Sequence, residues 1–482
     1  MPEEGKKINS ERNVPLIVDL DGTLINTDLL HEGFLIFLKK NIFNLFRCLI
    51  WLINGKSNLK KNLSEHVKIP YELLPVNKNL VEFMKAESAK GRKIILATAS
   101  YRSQAFEISN LIPVFNEIIA TDDAINLKGE KKRKLLVEKF GEKNFDYVGN
   151  SNSDLKIFAS CRYSYLVNPS GSLTKKTMKI SELKKSWHVT KTSGYTIVKA
   201  IRAYQWIKNL LIFIPLITSH TFQSITPFLN GLMAFLSFSF IASAGYILND
   251  LMDLNADRAH PEKCRRPLAS GELSITSGVV LGILLICSSL IIASTQNSHF
   301  IGILLLYFFS SIVYSFFLKR MALYDVFMLA LLYSIRIFAG GIVIDVPISF
   351  WLIAFSTFIF LSLALVKRYS ELMQMNDQTS LESRGRQYSI TDTNLLEIMG
   401  IVSGYMSIIV LSLYINSKEV TLLYTNPKLL WALSVLFLFW ISRIWLKAIR
   451  GEMTDDPILF AIKDKSSYFI FGLVTLIIAI SI

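Results

Sequence analysis

Two stretches of this 482-residue chain concentrate side chains suited to chemistry on phosphate. The first is PLIVDLDGTL at residues 15–24, an apolar run that ends in two carboxylates two residues apart, followed by Gly-Thr. Alternation along a strand sends Asp19 and Asp21 the same way, and Gly22 permits a sharp turn. Two carboxylates at a strand's carboxyl end suit a divalent cation together with nucleophilic attack on phosphorus. Similar endings recur downstream. KIILATAS (93–100) reaches a hydroxyl at Thr98, and DYVGNSNSD (146–154) turns through Gly-Asn to Asp154. Between them, NLKGEKKRKLLVEKFG (126–141) leads a basic cluster into a helix, with Lys132 the chosen base and Lys131 or Lys134 as alternatives.

The second stretch is YILNDLMDLNADRAHPEKCRRPLASG, residues 246–271. If the preceding helix continues past Asn249, then Asp250, Asp253 and Asp257 stand three and four residues apart and share one face. Three carboxylates repel one another unless a cation intervenes. Mg2+, which favours carboxylate and phosphate oxygens, is the natural candidate. Arg258, His260, Lys263, Arg265 and Arg266 follow at once. Acid, metal and base at one mouth is the composition of a diphosphate site; the plain alternative is a solvated helix end beside a basic loop.

Two kinds of element must hold these groups. Over residues 1–170 short apolar runs alternate with helical patterns, which implies a parallel α/β sheet with ligands at the carboxyl ends of its strands. Residues 171–200, rich in Ser, Thr and Lys, read as a linker near an anionic membrane surface. Residues 201–482 read as an all-α membrane domain. Of all residues 51% are hydrophobic and only 19% are charged, against about 25% in an ordinary soluble protein. That composition excludes disorder and leaves a polytopic membrane protein. Candidate spans are 208–224, 229–248, 276–294, 299–318, 323–343, 349–366, 394–415, 428–446 and 467–482, the first broken by Pro215. Cys48, Cys161, Cys264 and Cys287 have no metal-ligand spacing and read as ordinary thiols.

Orientation follows from charge. The formal net charge is +14, and the loops expected outside hold only Lys418 among lysines and arginines. The polar start, MPEEGKKINSERN, carries no signal-peptide pattern. The expectation is a protein of the inner (plasma) membrane with its α/β part in the cytoplasm and its C-terminus outside. One segment stands apart: residues 34–53, FLIFLKKNIFNLFRCLIWLI, are very apolar yet interrupted by Lys39, Lys40 and Arg47. They read either as a buried helical pair in a cap or as an interfacial segment lying on the bilayer.

The DxDGT run with the three motifs behind it resembles the haloacid dehalogenase superfamily of phosphohydrolases. The resemblance implies a Rossmann-like domain with a small helical cap, Asp19 as nucleophile and Asp21 as general acid/base. It also implies Thr98 and Lys132 on the phosphoryl group, and Asp19, the Asp21 carbonyl and Asp154 around Mg2+. Asn150 stands where many members have aspartate, which should weaken Mg2+ binding without abolishing it. A scaffold that has lost catalysis is the alternative.

NDxxDxxxDRxHPxKxxRPxASG resembles the UbiA superfamily of intramembrane prenyltransferases, which implies Asn249, Asp250, Asp253 and Asp257 on the metals and Arg258, Lys263 and Arg266 on the phosphates. Where aromatic prenyltransferases carry a second aspartate-rich motif, this chain has LVKRYSEL, with Lys367, Arg368 and the single carboxylate Glu371. Further bases lie in RAYQWIKNLL (Arg202, Lys208, with Gln205) and FLKRMALYD (Lys319, Arg320). Arg336 sits inside the fifth span, at about 2.5–3.5 kcal/mol on insertion scales, either for function or paired with Asp325.

That pattern is similar to the decaprenyl-phosphate phosphoribosyltransferase branch. The resemblance implies phosphoribosyl pyrophosphate as donor and a membrane lipid, polyprenyl phosphate, as acceptor, with no nucleic acid. The fused hydrolase would then remove the product's 5-phosphate. Two other readings compete: prenyl transfer to an aromatic acceptor, and a lipid carrier with an inactive or separate phosphatase domain.

Overall fold

The computed structural model describes residues 14–122, 127–188, 193–219, 224–374, 387–453 and 456–482. The polar start of the chain, the end of the first expected span and much of the loop after Met373 lie outside the described residues. By its contacts the chain forms two compact units, residues up to 201 with 246–282, and residues 202–245 with 283–482.

The first unit is built on a six-stranded parallel sheet: β1 (Leu16–Val18), β2 (Ile94–Tyr101), β3 (Glu117–Thr121), β4 (Asp146–Gly149), β5 (Tyr163–Val167) and β6 (Glu182–Trp187). The spatial order is β3-β2-β1-β4-β5-β6. Leu16, Ile17 and Val18 are all fully buried, as expected of a central parallel strand covered on both faces. The order reverses at β1, which pairs with β2 on one side and β4 on the other. Ligands of such sheets bind at that switch point, and the three motif-bearing strand ends meet there. Gly22 makes the turn after β1 at a φ of +72°, and a Cβ on it would lie 2.1 Å from the Asn150 Nδ2. The helices after β1 are α1 (Leu29–Lys40), α2 (Asn44–Ile53), α3 (Lys56–His66) and α4 (Lys78–Ala89). Helices α5 (Arg102–Leu111), α6 (Glu130–Phe140) and α7 (Leu155–Ser160) connect the later strands.

The expected linker needs correction. Residues 171–187 form α8 (Gly171–Ile180) and β6, which pairs with β5, so the α/β part runs to Trp187. β6 reads ELKKSW because an edge strand is protected from further pairing by lysines rather than marked by alternation. Helix α9 (Gly194–Ala200) follows.

The count of spans is corrected too. Among the described residues seven helices are long and apolar enough to cross a membrane, or eight if the bent pair Pro457–Lys463 and Lys465–Ser481 is one span. The chain is an integral membrane protein. The first expected span instead forms a long 3-10 segment, Ala203–Phe213, and α10 (Ile214–Thr218). 3-10 runs of more than three or four residues are uncommon; here a close contact holds it, since a Cβ on Gly340 would lie 2.1 Å from the Ile212 carbonyl oxygen. The remaining helices are α11 (Ile225–Met252), α12 (Leu254–Ala259), α13 (Ile275–Ala293), α14 (Ser298–Phe316), α15 (Tyr324–Ile344), α16 (Phe350–Met373), α17 (Thr393–Ile415), α18 (Lys418–Leu423), α19 (Trp431–Ile449), α20 (Pro457–Lys463) and α21 (Lys465–Ser481).

Under the sheet, Asp146 is fully buried and bound by Arg92, by Arg162 at 2.9 and 3.0 Å, and by the Tyr163 amide. Asp146→Ala leaves buried Arg92 with Glu87 alone and half-buried Arg162 without its carboxylate, at up to about 3–5 kcal/mol. The first thermal transition of the purified protein should fall accordingly, and an unchanged transition would refute this account of the sheet's base.

Candidate functional site

At the switch point Asp19 follows β1 directly and is 8% exposed. Its Oδ1 accepts from the Lys132 Nζ at 2.8 Å. Lys132 projects from α6 and also reaches the Ala97 carbonyl and the Tyr147 hydroxyl, both at 3.1 Å. Helical phase makes the choice among the lysines of that run: Lys131 and Lys134 are exposed, whereas Lys132 is buried. Asp21 accepts from the Leu29 amide at 2.9 Å and the Ser100 hydroxyl at 2.5 Å. Burial, and then the charge of Asp28, push its carboxyl up to about 7, the range of a group that exchanges protons near neutrality. Thr98 is buried on β2, where its hydroxyl accepts from the Ser100 amide at 2.9 Å.

Asp154 is held by the Ser151 amide and hydroxyl, at 3.0 and 2.8 Å, and by the Asn150 amide at 3.3 Å. Sequence reasoning missed Ser100 and Tyr147, and also Lys60, which comes in from α3 to the Ala99 carbonyl at 2.7 Å. Ser100 was legible as the next same-face residue after Thr98. Lys60 was not, because α3 is remote in sequence.

The second group closes α11. The helix breaks at Asp253, but the Asp257 amide still reaches the Asp253 carbonyl at 2.8 Å. Asp250 and Asp257, seven residues apart, therefore remain on one side and converge on the Arg266 Nη1 at 3.1 and 2.7 Å. Both are 5% exposed, so the solvated-end alternative fails for them. Burial raises the Asp257 carboxyl above its usual range, with Arg266 opposing and Asp250 adding to the shift.

Asp253 does not join the pair; its Oδ1 accepts from the Lys39 Nζ of α1 at 3.2 Å. Arg258 departs from expectation as well. It donates to both carboxylate oxygens of Glu32 on α1, at 2.7 and 3.1 Å, and to the Ala269 carbonyl. Glu32 is 1% exposed and also accepts from the Thr27 hydroxyl at 2.5 Å. Asn249 is half-buried on α11, and Lys263 is half-buried in a 3-10 turn.

The second unit contains a third group. Lys208, buried in the 3-10 segment, pairs with Asp456 at the start of α20, and Lys367 of α16 feels both charges. Arg336 does not meet Asp325. It donates to the Asn209 side chain and the Tyr307 hydroxyl, each at 2.8 Å, and to the Leu332 carbonyl. Asp325 belongs to Arg368, which is fully buried and also paired with Glu371; the Tyr388 hydroxyl donates to Asp325 at 2.6 Å. Gln205 and Lys319 are half-buried and Arg320 is exposed. Lys319 and Arg320 lie in a separate 3-10 turn, Leu318–Arg320.

No three His, Cys, Asp or Glu groups cluster as a metal cage among the described residues. Mg2+ does not require one, since it is commonly held by one or two carboxylates, waters and substrate phosphates. Asp250 with Asp257 fits that role: the guanidinium of Arg266 already occupies a cation's position between them. Asp19 with Asp154 fits as well, because burial and the Asp154 charge both oppose ionisation of Asp19, with Lys132 and the Leu20 amide countering them.

Residues 211–463 match the UbiA prenyltransferase family, more than half of the chain. The chain belongs to that family. The protein y4nM of Sinorhizobium fredii is 34% identical over 469 residues, covering 96% of this chain and 90% of that one. The decaprenyl-phosphate phosphoribosyltransferase of Mycolicibacterium smegmatis is 28% identical over 287 residues, 57% of this chain and 88% of that enzyme. A solved phosphoserine phosphatase complex aligns with 36% of this chain and 94% of its own, at 15% identity and a TM-score of 0.26. The strand order of the N-terminal part is that of a doubly wound α/β fold. This UbiA chain is thus a membrane transferase whose N-terminal part is an α/β domain.

Glu32 and Arg258 are both nearly sealed from solvent, so either one alone is an uncompensated charge. Glu32→Leu or Arg258→Met should each destabilise the protein by about 3–5 kcal/mol, and the double variant should recover most of the loss. Additive losses in thermal unfolding would contradict the pairing.

Proposed function

We propose that this protein transfers the phosphoribosyl group of phosphoribosyl pyrophosphate to a polyprenyl phosphate and then removes the 5-phosphate. The observation that carries the first step is the balance of charge in the membrane helices. Where a second acidic metal motif would serve a prenyl diphosphate, α16 presents Lys367 and Arg368, and its single carboxylate, Glu371, is consumed by Arg368. Lys208 pairs with Asp456, whose charge also acts on Lys367, and in this reading the two lysines serve an anionic acceptor. The likeness to decaprenyl-phosphate phosphoribosyltransferases supports the same choice.

In this reading Asp250 and Asp257, with Asn249 beside them, would hold Mg2+ at the donor site, and Arg266 and Lys263 would contact the donor's phosphates. Bound Mg2+ would neutralise charge building on the leaving pyrophosphate. The bond from ribose C1 to pyrophosphate breaks as a lipid phosphate oxygen bonds to C1. Lys208 and Lys367 hold the acceptor phosphate. Gln205, Lys319, Arg320 and Arg336 remain candidates for substrate contact. Arg258 and Asp253 take a different role, as partners of α1. Arg368 becomes a structural cation that sets Asp325 and Glu371.

For the second step Asp19 attacks the 5-phosphate, with Lys132 and Thr98 on the phosphoryl group; Asp154 with Asp19 would hold Mg2+, which would neutralise phosphate charge. Asp21 gives its proton to the departing ribose oxygen, and water then releases phosphate from Asp19. Helix α1 supports a link between the steps, because its first turn bonds Asp21 through Leu29 and Arg258 through Glu32.

The hydrolase part and the acidic end of α11 belong to one compact unit, so both are assigned to the cytoplasmic face. The segment before α11 must then carry the chain across. Eleven residues at about 2.0 Å and five at about 1.5 Å give roughly 30 Å, the thickness of the hydrocarbon core. The C-terminus falls on the opposite face.

Purified protein given polyprenyl phosphate, phosphoribosyl pyrophosphate and Mg2+ should yield polyprenyl phosphoribose without the 5-phosphate by mass spectrometry. Asp19→Asn should stop at the 5-phosphorylated lipid. Persistence of that phosphate in the unmodified protein would refute the second step, and a product only from prenyl diphosphate with 4-hydroxybenzoate would refute the first.

A further inference from the structure

Helix α2 has two faces of opposite fate. One packs inward: Cys48 is buried, Trp51 stacks on Phe37 at 5.2 Å, and the Arg47 guanidinium lies over both rings at 5.4 and 5.6 Å. The other is bare. Ile42, Phe43, Phe46, Leu49, Ile50 and Ile53 are all exposed, Phe46 by 63% and Ile53 by 84%. A helical stripe of this kind is a docking face, because single exposed apolar residues are common but a continuous patch is not.

The surroundings say what covers it. The chain is a membrane protein, so a bilayer is always present. Lys39 at the end of α1 pairs with Asp253, the residue that follows the last residue of the spanning helix α11. That contact sets the end of α1 at the depth where a membrane helix emerges, and the bare stripe begins three residues later at Ile42. Between Glu32 and Glu65 there is no acidic residue, while Lys39, Lys40, Arg47 and Lys56 flank the stripe. Positive charge beside an apolar face complements anionic headgroups over acyl chains. At ten residues, about 15 Å long, α2 is half of what a span requires. It lies along the surface.

We propose that α2 is an interfacial anchor whose apolar face inserts into the leaflet next to the acidic end of α11. The anchor fixes the hydrolase part to the bilayer through a contact independent of the spanning helices, and it does so whatever reaction either part catalyses.

The test uses the full chain in nanodiscs of phosphatidylcholine and phosphatidylglycerol. Cys264→Ser and Cys287→Ser remove the two accessible thiols, leaving buried Cys48 and Cys161. Phe46→Cys, or Ile50→Cys as a second variant, is labelled with an environment-sensitive fluorophore, and Glu138→Cys on exposed α6 surface serves as control. The proposal expects blue-shifted emission from position 46 or 50, quenched by nitroxide lipids at a depth of about 5–10 Å, and water-like emission from 138. Water-like emission from both α2 positions overturns it. So does a blue shift that nitroxide lipids fail to quench, since a second copy of the chain or another protein would then cover the face.

Discussion

Carboxylates buried at the edge of a low-dielectric region need cations to match them, and that constraint organises the ion pairs described above. An unpaired buried charge costs several kcal/mol, more than a typical domain can spare. Asp250 and Asp257 meet on Arg266, Asp19 on Lys132, Asp325 on Arg368, Asp456 on Lys208 and Glu32 on Arg258. Some pairs are sealed, such as Asp325 with Arg368, and serve the fold. Others involve a side chain still reachable from solvent. Arg266 is the clearest, because its side chain is 27% exposed while both of its carboxylates are buried.

Helix α1 shows how the same constraint can join two catalytic parts. Glu32 and Lys39 lie seven residues apart, two turns along one face, and find Arg258 and Asp253 in the acidic motif of the membrane part. The amide of Leu29 at the helix start supports Asp21 in the hydrolase site. One rigid element thus contacts both machineries. The family motif keeps its arginine in sequence, while here that arginine faces a partner 226 residues earlier in the chain.

Much of this was legible in the sequence, for definite reasons. Strand-end motifs place their side chains at one edge of the sheet, so Asp19, Asp21, Thr98 and Asp154 could be grouped without coordinates, whereas Lys132 stood open beside Lys131 and Lys134 until the helix showed which is buried. Apolar length revealed seven spans. It did not foresee the form of residues 208–219, because composition cannot separate an α-helix from a 3-10 segment held by a glycine contact. It failed at β6 because an edge strand rich in lysine looks like a loop. The partners of Arg258 and Arg336 were hidden for another reason: Glu32, Asn209 and Tyr307 lie far away in sequence, and only packing brings them close.

In the proposed transfer Asp250 and Asp257 would hold a divalent ion together with the donor's diphosphate. Electron paramagnetic resonance of Mn2+ with added pyrophosphate tests it directly, in an Asp154→Ala background that silences the hydrolase site. Pyrophosphate-dependent Mn2+ binding should persist in that background and in Asp253→Ala, and vanish when Asp250 and Asp257 are both changed to alanine. Undiminished binding in the double alanine variant would contradict the account.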